Sequence, residues 1–368
     1  MKRLSVYRLL LASAAALGAP AALTQQVIGG GSTLPAEYYG TAVGSGILTN
    51  VPLPGFAPYV PVGCGAGHQA FFSNDSMWLG LPAGTTVDYA GCESSVTAAQ
   101  AAGYAANSLS IFGPLIQVPV ALTTVSVPFN VPGLTSLNLT SQQLADIFAG
   151  NITTWSAVGG PSQPITVVYR LDSNVATEML TRHLNAVNSA AIPSVSGTFA
   201  SVADVSGPNY VGASGSNAVV SAVTTTPFSI GYVSPDFVAS EDPTKVATIN
   251  GWLPSAASLQ LALQDVPIPT GGARANPLAW GINNPDPTAG YPIVATTNLI
   301  FSQCYANPID NARIRSFFNA HYTGGNDPVT AYPLPSVWKQ AVWDTFYALV
   351  TPLSIGNPDV CNGIGRPS

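Results

Sequence analysis

Gly29-Gly30-Gly31-Ser32-Thr33-Leu34-Pro35 closes a short apolar run and opens Ala36-Glu37-Tyr38-Tyr39. A Thr followed closely by Pro predicts a helix start. The segment therefore reads as strand, turn and helix, with a turn that presents backbone N–H groups. Such a turn can cradle an anion at a helix N-terminus. It lacks the Lys of a nucleotide-binding loop, and a tight turn without a ligand has the same sequence. Two further segments share the form. Gly63-Cys64-Gly65-Ala66-Gly67 follows an apolar run at 58–63 and exposes its backbone. A β-branched strand at 165–169 leads to Arg170-Leu171-Asp172-Ser173, and a helix is predicted over 174–184. Arg is the bidentate reader of oxyanions; a salt bridge to Asp172 is the other use open to Arg170.

Outward from these turns, strand and helix signals alternate, which predicts an α/β fold. A second short strand is expected at 86–91 and another at 229–233. Thr140 and Gln143 fit a capping box ahead of a helix over 140–149, with Leu144, Ile147 and Phe148 on one face and Gly150 at its stop. Ile314, Phe317, Phe318 and His321 line one further helix face, and Trp338, Ala341, Val342, Thr345 and Leu349 another. The Pro-, Gly-, Asn- and Asp-rich stretch at 251–292 reads as a long crossover returning the chain to the first domain.

The composition narrows the function. The chain has 368 residues, enough for two domains, and 47% hydrophobic residues, enough for a sizeable core. Charged residues are only 8%, against about 25% in ordinary soluble chains. A net charge of −6 excludes the basic footprint of a nucleic-acid binder. Three His and four Cys leave little room for a zinc or haem site. His183 and His321 read as helix-face packing, and the three His show no triad or metal spacing. No Gly-x-Ser-x-Gly elbow offers a hydrolase nucleophile. No cofactor, no metal and no enzymatic activity are expected.

Lys2, Arg3 and Arg8 precede an apolar run at 9–17, and Ala19-Pro20-Ala21 or Ala22-Leu23-Thr24 supplies a cleavage signal. Residues 1–24 are thus expected to be a secretory signal peptide, the apolar run being shorter than the roughly 20 residues of a membrane span. Its removal leaves eight basic against seventeen acidic residues. An exported chain, periplasmic or secreted, permits disulfides. Cys64, Cys92, Cys304 and Cys361 allow three pairings, of which 64–92 with 304–361 closes the shortest loops. Cys64 and Cys92 also have the chemistry of a nucleophile or a metal ligand; a structural disulfide is the expected use in an oxidising compartment.

Several segments carry a resemblance. Residues 29–35 are similar to the Gly-Gly-Gly-Ala-Thr-Leu-Pro opening of the DING-type phosphate-binding proteins, relatives of the periplasmic phosphate-binding component of bacterial phosphate importers. The likeness continues at Phe56-Ala57-Pro58-Tyr59-Val60, at Val167-Val168-Tyr169-Arg170, at 298–305 and at 354–367, covering nearly the whole mature chain. It implies a two-lobed periplasmic-binding-protein fold of type II, with a ligand cleft between lobes joined by a two-strand hinge. The lobes are expected at 27–112 with 288–368, and at 113–287. The resemblance implies a monomer that captures a small-molecule or oxyanion ligand and can serve an ABC-type membrane transporter. It implies that neutral donors, helix N-termini and one Arg hold the oxyanion, while one carboxylate accepts the phosphate's proton and so rejects sulfate. It also implies a Cys304–Cys361 disulfide.

Carried over by residue, Thr33 matches the Thr that donates its hydroxyl and N–H, Leu34 the next backbone donor, and Arg170 the site Arg. The departures are Cys64 for a Ser, Glu93 for an Asp, Cys92 for a small residue, and Asn174-Val175-Ala176 for Ser-Gly-Thr at a helix start. Three hydroxyl donors are lost on this reading. At roughly 1.5–3 kcal/mol each they amount to about 4–9 kcal/mol, comparable with the about 8 kcal/mol of a micromolar complex. Glu93 also reaches one methylene further than Asp. The expectation is therefore a solute-binding protein of phosphate-binding ancestry with an altered ligand, such as an organic acid, a phosphonate or a less charged compound. Its alternatives are a true inorganic-phosphate binder and a secreted alkaline phosphatase-like enzyme of the same family.

Overall fold

The structure, a computed structural model, describes residues 26–324, 332–348 and 351–367. The expected signal peptide at 1–24 and Leu349 lie outside the described residues.

The strands are β1 (Gly29–Gly31), β2 (Val60–Pro61), β3 (Tyr89–Cys92), β4 (Leu115–Thr124), β5 (Phe129–Asn130), β6 (Asn138–Leu139), β7 (Thr166–Arg170), β8 (Tyr210–Ala213), β9 (Ser229–Ile230), β10 (Thr248–Ile249), β11 (Val294–Ser302) and β12 (Tyr332–Pro333). The helices are α1 (Ala36–Tyr39), α2 (Gly46–Thr49), α3 (Cys64–Ser73), α4 (Ala98–Asn107), α5 (Leu109–Phe112), α6 (Ser141–Phe148), α7 (Val175–Val187), α8 (Ser216–Thr225), α9 (Ala256–Leu261), α10 (Pro308–Thr323) and α11 (Ser336–Phe346).

Two mixed sheets divide the chain into two lobes. The first has the order β12-β4-β11-β3-β1-β2, and the second β5-β9-β7-β8; β6 and β10 form a small parallel pair. β1 runs parallel to β2 and β3, and β7 parallel to β8 and β9. β4 and β11 are buried along their whole lengths, as near-continuous apolar sequence covered on both faces should be. The large aromatic core beneath the first sheet includes Phe56, Tyr89, Phe301, Phe317 and Phe318.

The chain passes from the first sheet to the second in the four residues between β4 and β5, and returns at the approach to β11. The two passages touch: Thr124 Oγ1 donates to Ile293 O at 2.6 Å, and Tyr291 Oη donates to Val125 O at 2.8 Å. A lobe boundary at 112/113 would put β4 in the second lobe, whereas β4 pairs with β11 and β12 in the first sheet. The reason is that the apolar run at 115–124 is long enough to finish one sheet before the crossing. The segment 251–292 does return the chain to the first sheet, through α9 and two short 3₁₀ turns.

Local signals held where chemistry is local. Thr140 accepts from Gln143 N and forms the capping box of α6. Thr33 does not cap α1: that helix is one turn long, starts after Pro35, and has no side-chain cap. Pro35 fixes the turn instead of a hydroxyl. Both disulfides are present, Cys64–Cys92 with Cα atoms 4.9 Å apart and Cys304–Cys361 with 5.3 Å. The C-terminal segment is pinned by Arg366, fully buried over the Phe71 ring, which donates to Ser302 Oγ, Val87 O and Phe71 O.

Candidate ligand cleft between the lobes

The site begins with the glycine run. β1 passes so close to β3 that a Cβ on Gly31, whose φ is +148°, would lie 2.2 Å from Gly91 O. From there Ser32, Thr33 and Leu34 emerge at the strand end. α3 packs onto the same strand: a Cβ on Gly67 would meet Gly31 Cα at 2.4 Å. This brings the first turn of α3, at Gly63, Cys64, Gly65 and Ala66, beside Thr33. Across the cleft, β7 ends at Arg170 and α7 starts after Asn174, whose side chain accepts from Thr177 N at 2.9 Å. β8 lies parallel to β7, so the start of α8 at Ser216 arrives beside Arg170.

These groups line one cavity of about 760 Å³. Of the residues expected from the sequence, Thr33, Leu34, Cys64, Arg170, Asn174, Val175 and Ala176 line it together. Three helices of ten residues or more, α3, α7 and α8, open their N-termini on it. Aligned peptide dipoles place positive potential at such ends, and their first N–H groups lack intrahelical partners.

Arg170 is buried and held from three sides. Nε donates to Asp172 Oδ1 at 2.9 Å, Nη2 pairs with Asp172 Oδ2, and Nη1 donates to Ser216 Oγ at 3.1 Å. Asp172 also accepts from Gly215 N at 2.9 Å, which ties the start of α8 to the same carboxylate. The Arg170 hydrogen bonds hold the Asp172 carboxyl down at about 2. The salt bridge foreseen for Arg170 is present, and Asp172 fixes the guanidinium at the cavity wall.

Glu93 does not line the cavity. It is buried behind Ser32, whose Oγ donates to Glu93 Oε2, while Oε1 has no hydrogen-bond partner. Burial raises its pKa from 4.5 to about 7, against the opposing pull of the Ser32 hydrogen bond. The extra methylene of Glu therefore does not crowd the cavity. Further carboxylates line the cavity at Glu178 and Asp236. Glu178 accepts from Ser94 Oγ across the cleft at 2.8 Å and pairs with Arg182.

Sequence reasoning missed Ser32, Ser94, Ser173 and Ser216, all of which line the cavity. A single Ser carries no local signature, and β-strand register brings these four together from distant segments. Ser32 and Ser94 already donate their hydroxyl protons to Glu93 and Glu178, while Ser216 accepts from Arg170 Nη1 and keeps its own proton for a ligand. The sulfur of Cys64 stands at the wall, bonded to Cys92. His68, read as lacking metal spacing, lies against that disulfide.

The PBP superfamily domain matches the chain over residues 19–319. A Pseudomonas aeruginosa protein called alkaline phosphatase L is 39% identical over 372 residues, covering 98% of this chain and 99% of its own. A protein called phosphate-binding protein, from an unknown prokaryotic organism, is 39% identical over 379 residues, covering 92% and 99%. Among solved structures, a high affinity periplasmic phosphate-binding protein (PfluDING) bound with phosphate matches with a TM-score of 0.79 at 38% identity, covering 93% of this chain and all of that one. A phosphate-binding protein from Stenotrophomonas maltophilia matches at 0.77 and 32% identity, covering 94% and 100%.

Proposed function

Because the chain belongs to the PBP superfamily, in its DING-type phosphate-binding family, we propose that it captures inorganic phosphate in the cleft between its lobes. The observation that carries the reading is Arg170, locked by Asp172 and Ser216 at a cavity on which α3, α7 and α8 all open. A dianion there meets one guanidinium, three helix N-termini and serine hydroxyls, while the protein as a whole stays acidic. The expected change of ligand gives way to this alternative. Ser173 and Ser216 line the cavity with hydroxyls that the loss estimate did not count, and relatives of nearly full length are named for phosphate binding.

Selection against sulfate is assigned to Ser32 with Glu93 behind it. A phosphate P–O–H donates to Ser32 Oγ, which donates in turn to the Glu93 carboxylate. Sulfate has no proton to offer and leaves that acceptor unmatched. We place the lobe crossings at 125–128 and near 291–293, so that 27–124 with 294–367 form one lobe. Export by the 1–24 segment and delivery to an ABC-type membrane transporter belong to the same proposal; a relative titled periplasmic supports the export. Among the described residues no helix is long and apolar enough to cross a membrane.

Hydrolysis of a phosphate ester is the second reading, favoured by the names of the Pseudomonas aeruginosa relatives. One experiment separates the two. Protein stripped of ligand by unfolding and refolding is melted with phosphate, with sulfate and with neither, and p-nitrophenyl phosphate turnover is followed on the same sample. Binding predicts a phosphate-specific rise in Tm, lost in R170Q, with no turnover that R170Q abolishes. A phosphatase predicts turnover that falls with R170Q.

A further inference from the structure

We propose that Tyr232 is a positioning residue of the anion site, its buried phenol holding the Arg170 end of β7 and the start of α7 in one geometry. The inference rests on the phosphate reading above and names a residue that acts on the site without touching the anion. Tyr232 is fully buried behind the cavity, just after β9. Its Oη accepts from Arg170 N at 3.1 Å and lies 2.7 Å from Thr177 Oγ1. Thr177 stands in the first turn of α7 and is fully buried as well.

The sheet shows why a side chain is needed here. Alternate residues of a parallel strand donate to the same neighbour. On the β9 edge of β7, Thr166 N donates to Phe228 O, and the pairing stops at Val167 with Ile230. The ladder is finished before Arg170, so a side chain must take that N–H or leave it unpaired. The phenol takes it. Burial pushes the Tyr232 pKa up to about 12, against the pull of the Thr177 hydrogen bond, so the hydroxyl keeps its proton. The ring is fixed between Phe148 and Phe199, at 5.8 Å and 6.0 Å between centroids.

From Thr177 the bonds run back to the guanidinium. Thr177 Oγ1 accepts from Asn174 Nδ2 at 2.9 Å, and the same amide donates to Asp172 O at 2.8 Å. The Asp172 carboxylate grips Arg170 Nε. The circuit from Arg170 N through Tyr232, Thr177, Asn174 and Asp172 to Arg170 Nε thus closes on the residue where it began. Bonds linked in this way strengthen one another in a dry interior. A binding constellation must be held to within about 0.5 Å of its productive geometry. Removing the phenol oxygen leaves Arg170 N unpaired and cuts the link between the guanidinium and the α7 N-terminus.

The test is calorimetric titration of the oxidised mature chain with phosphate, in wild type, Y232F, T177V, T177S and Y232F/T177V. Y232F keeps the ring and removes only the oxygen. Phosphate should bind about tenfold more weakly in Y232F and in T177V, the loss of one hydrogen bond, and within about twofold of wild type in T177S. The losses should not add in the double variant, because both changes remove one shared bond. Y210F, which removes the Tyr210 Oη bond to Phe148 O in the same lobe, should leave the affinity unchanged. A second readout needs no ligand. In ligand-free protein labelled with 15N-arginine, the Arg170 Nε signal, identified by its loss in R170Q, should shift in Y232F and not in Y210F. Full phosphate affinity in Y232F, additive losses in the double variant, an equal loss in Y210F or an unmoved Arg170 signal in Y232F would overturn the proposal. If Y232F does not fold, T177V against T177S carries the same comparison in both readouts. A wild-type chain without phosphate heat overturns the phosphate reading instead, and the Arg170 signal then decides the positioning alone.

Discussion

Arg170 is the only cation among the described residues lining the cavity, where Asp172, Glu178 and Asp236 are the carboxylates. Its bonds to a bound anion are charge-assisted, at roughly 1.5–3 kcal/mol each. R170Q is expected to weaken phosphate at least a hundredfold, about 3 kcal/mol, in a calorimetric titration, with the fold retained. Glu93 gives a second residue-scale prediction. Its folded pKa of about 7 stands above the ordinary 4.5, so the folded protein binds that proton more tightly than the unfolded chain. The stability it supports is full below pH 4.5 and falls as pH rises to 7, by on the order of 3 kcal/mol in total. Urea unfolding of ligand-free protein across that range should show the fall. E93Q should flatten it in part, because buried Asp88, raised to about 8, contributes a slope of the same sign. At this scale Thr33 and Leu34 were named through the resemblance and Arg170 through its turn as well, and all three line the cavity; their part in binding is the proposal. Ser32, Ser94, Ser173 and Ser216 were not named, because their meaning depends on which distant turns meet them. Glu93 was read as a wall residue because sequence does not show that Ser32 stands in front of it.

At the scale of elements, the role proposed for the helix ends can be separated from helix stability. Asn174 caps α7 at the cavity, and Thr140 caps α6 away from it. N174A and T140A should each cost about 1 kcal/mol of stability, but only N174A should weaken phosphate. Equal affinities in the two variants would sever α7 from the site. α3 depends on contact with β1 through Gly67. G67A must push a helix whose neighbour is backbone, at a cost of about 1–3 kcal/mol, and should carry Cys64 and Ala66 away from the anion. Helices α6 and α7 and strand β7 were readable from capping boxes, periodicity and β-branched runs. α1 was read in its place but with a Thr33 cap it lacks, because Thr-x-Pro is also a tight turn, and the boundary at 112/113 split β4 from the sheet it pairs in because nothing local marks where that strand stops.

For the whole molecule, two touching passages between sheets at Thr124–Ile293 and Val125–Tyr291 form the hinge, and the cleft lies between the lobes they join. Ser94 reaches across it to Glu178. S94A removes one hydrogen bond to a carboxylate and should raise the phosphate release rate several-fold, seen by stopped flow, since such losses act mainly on dissociation. The architecture was legible as a whole only through the long motifs at 298–305 and 354–367, where Cys304, Cys361 and Arg366 lock the first lobe. The ligand was harder to read, because substitutions at single positions were weighed without the other segments that share the cavity.

The central claim is that this cavity holds inorganic phosphate by helix ends, hydroxyls and one fixed guanidinium. Isothermal titration of the oxidised mature chain, stripped by unfolding and refolding, tests it most directly. The account predicts one phosphate per chain with micromolar or tighter affinity, worth about 8 kcal/mol or more, and little heat from sulfate. No phosphate heat from a chain that has refolded with both disulfides would contradict it.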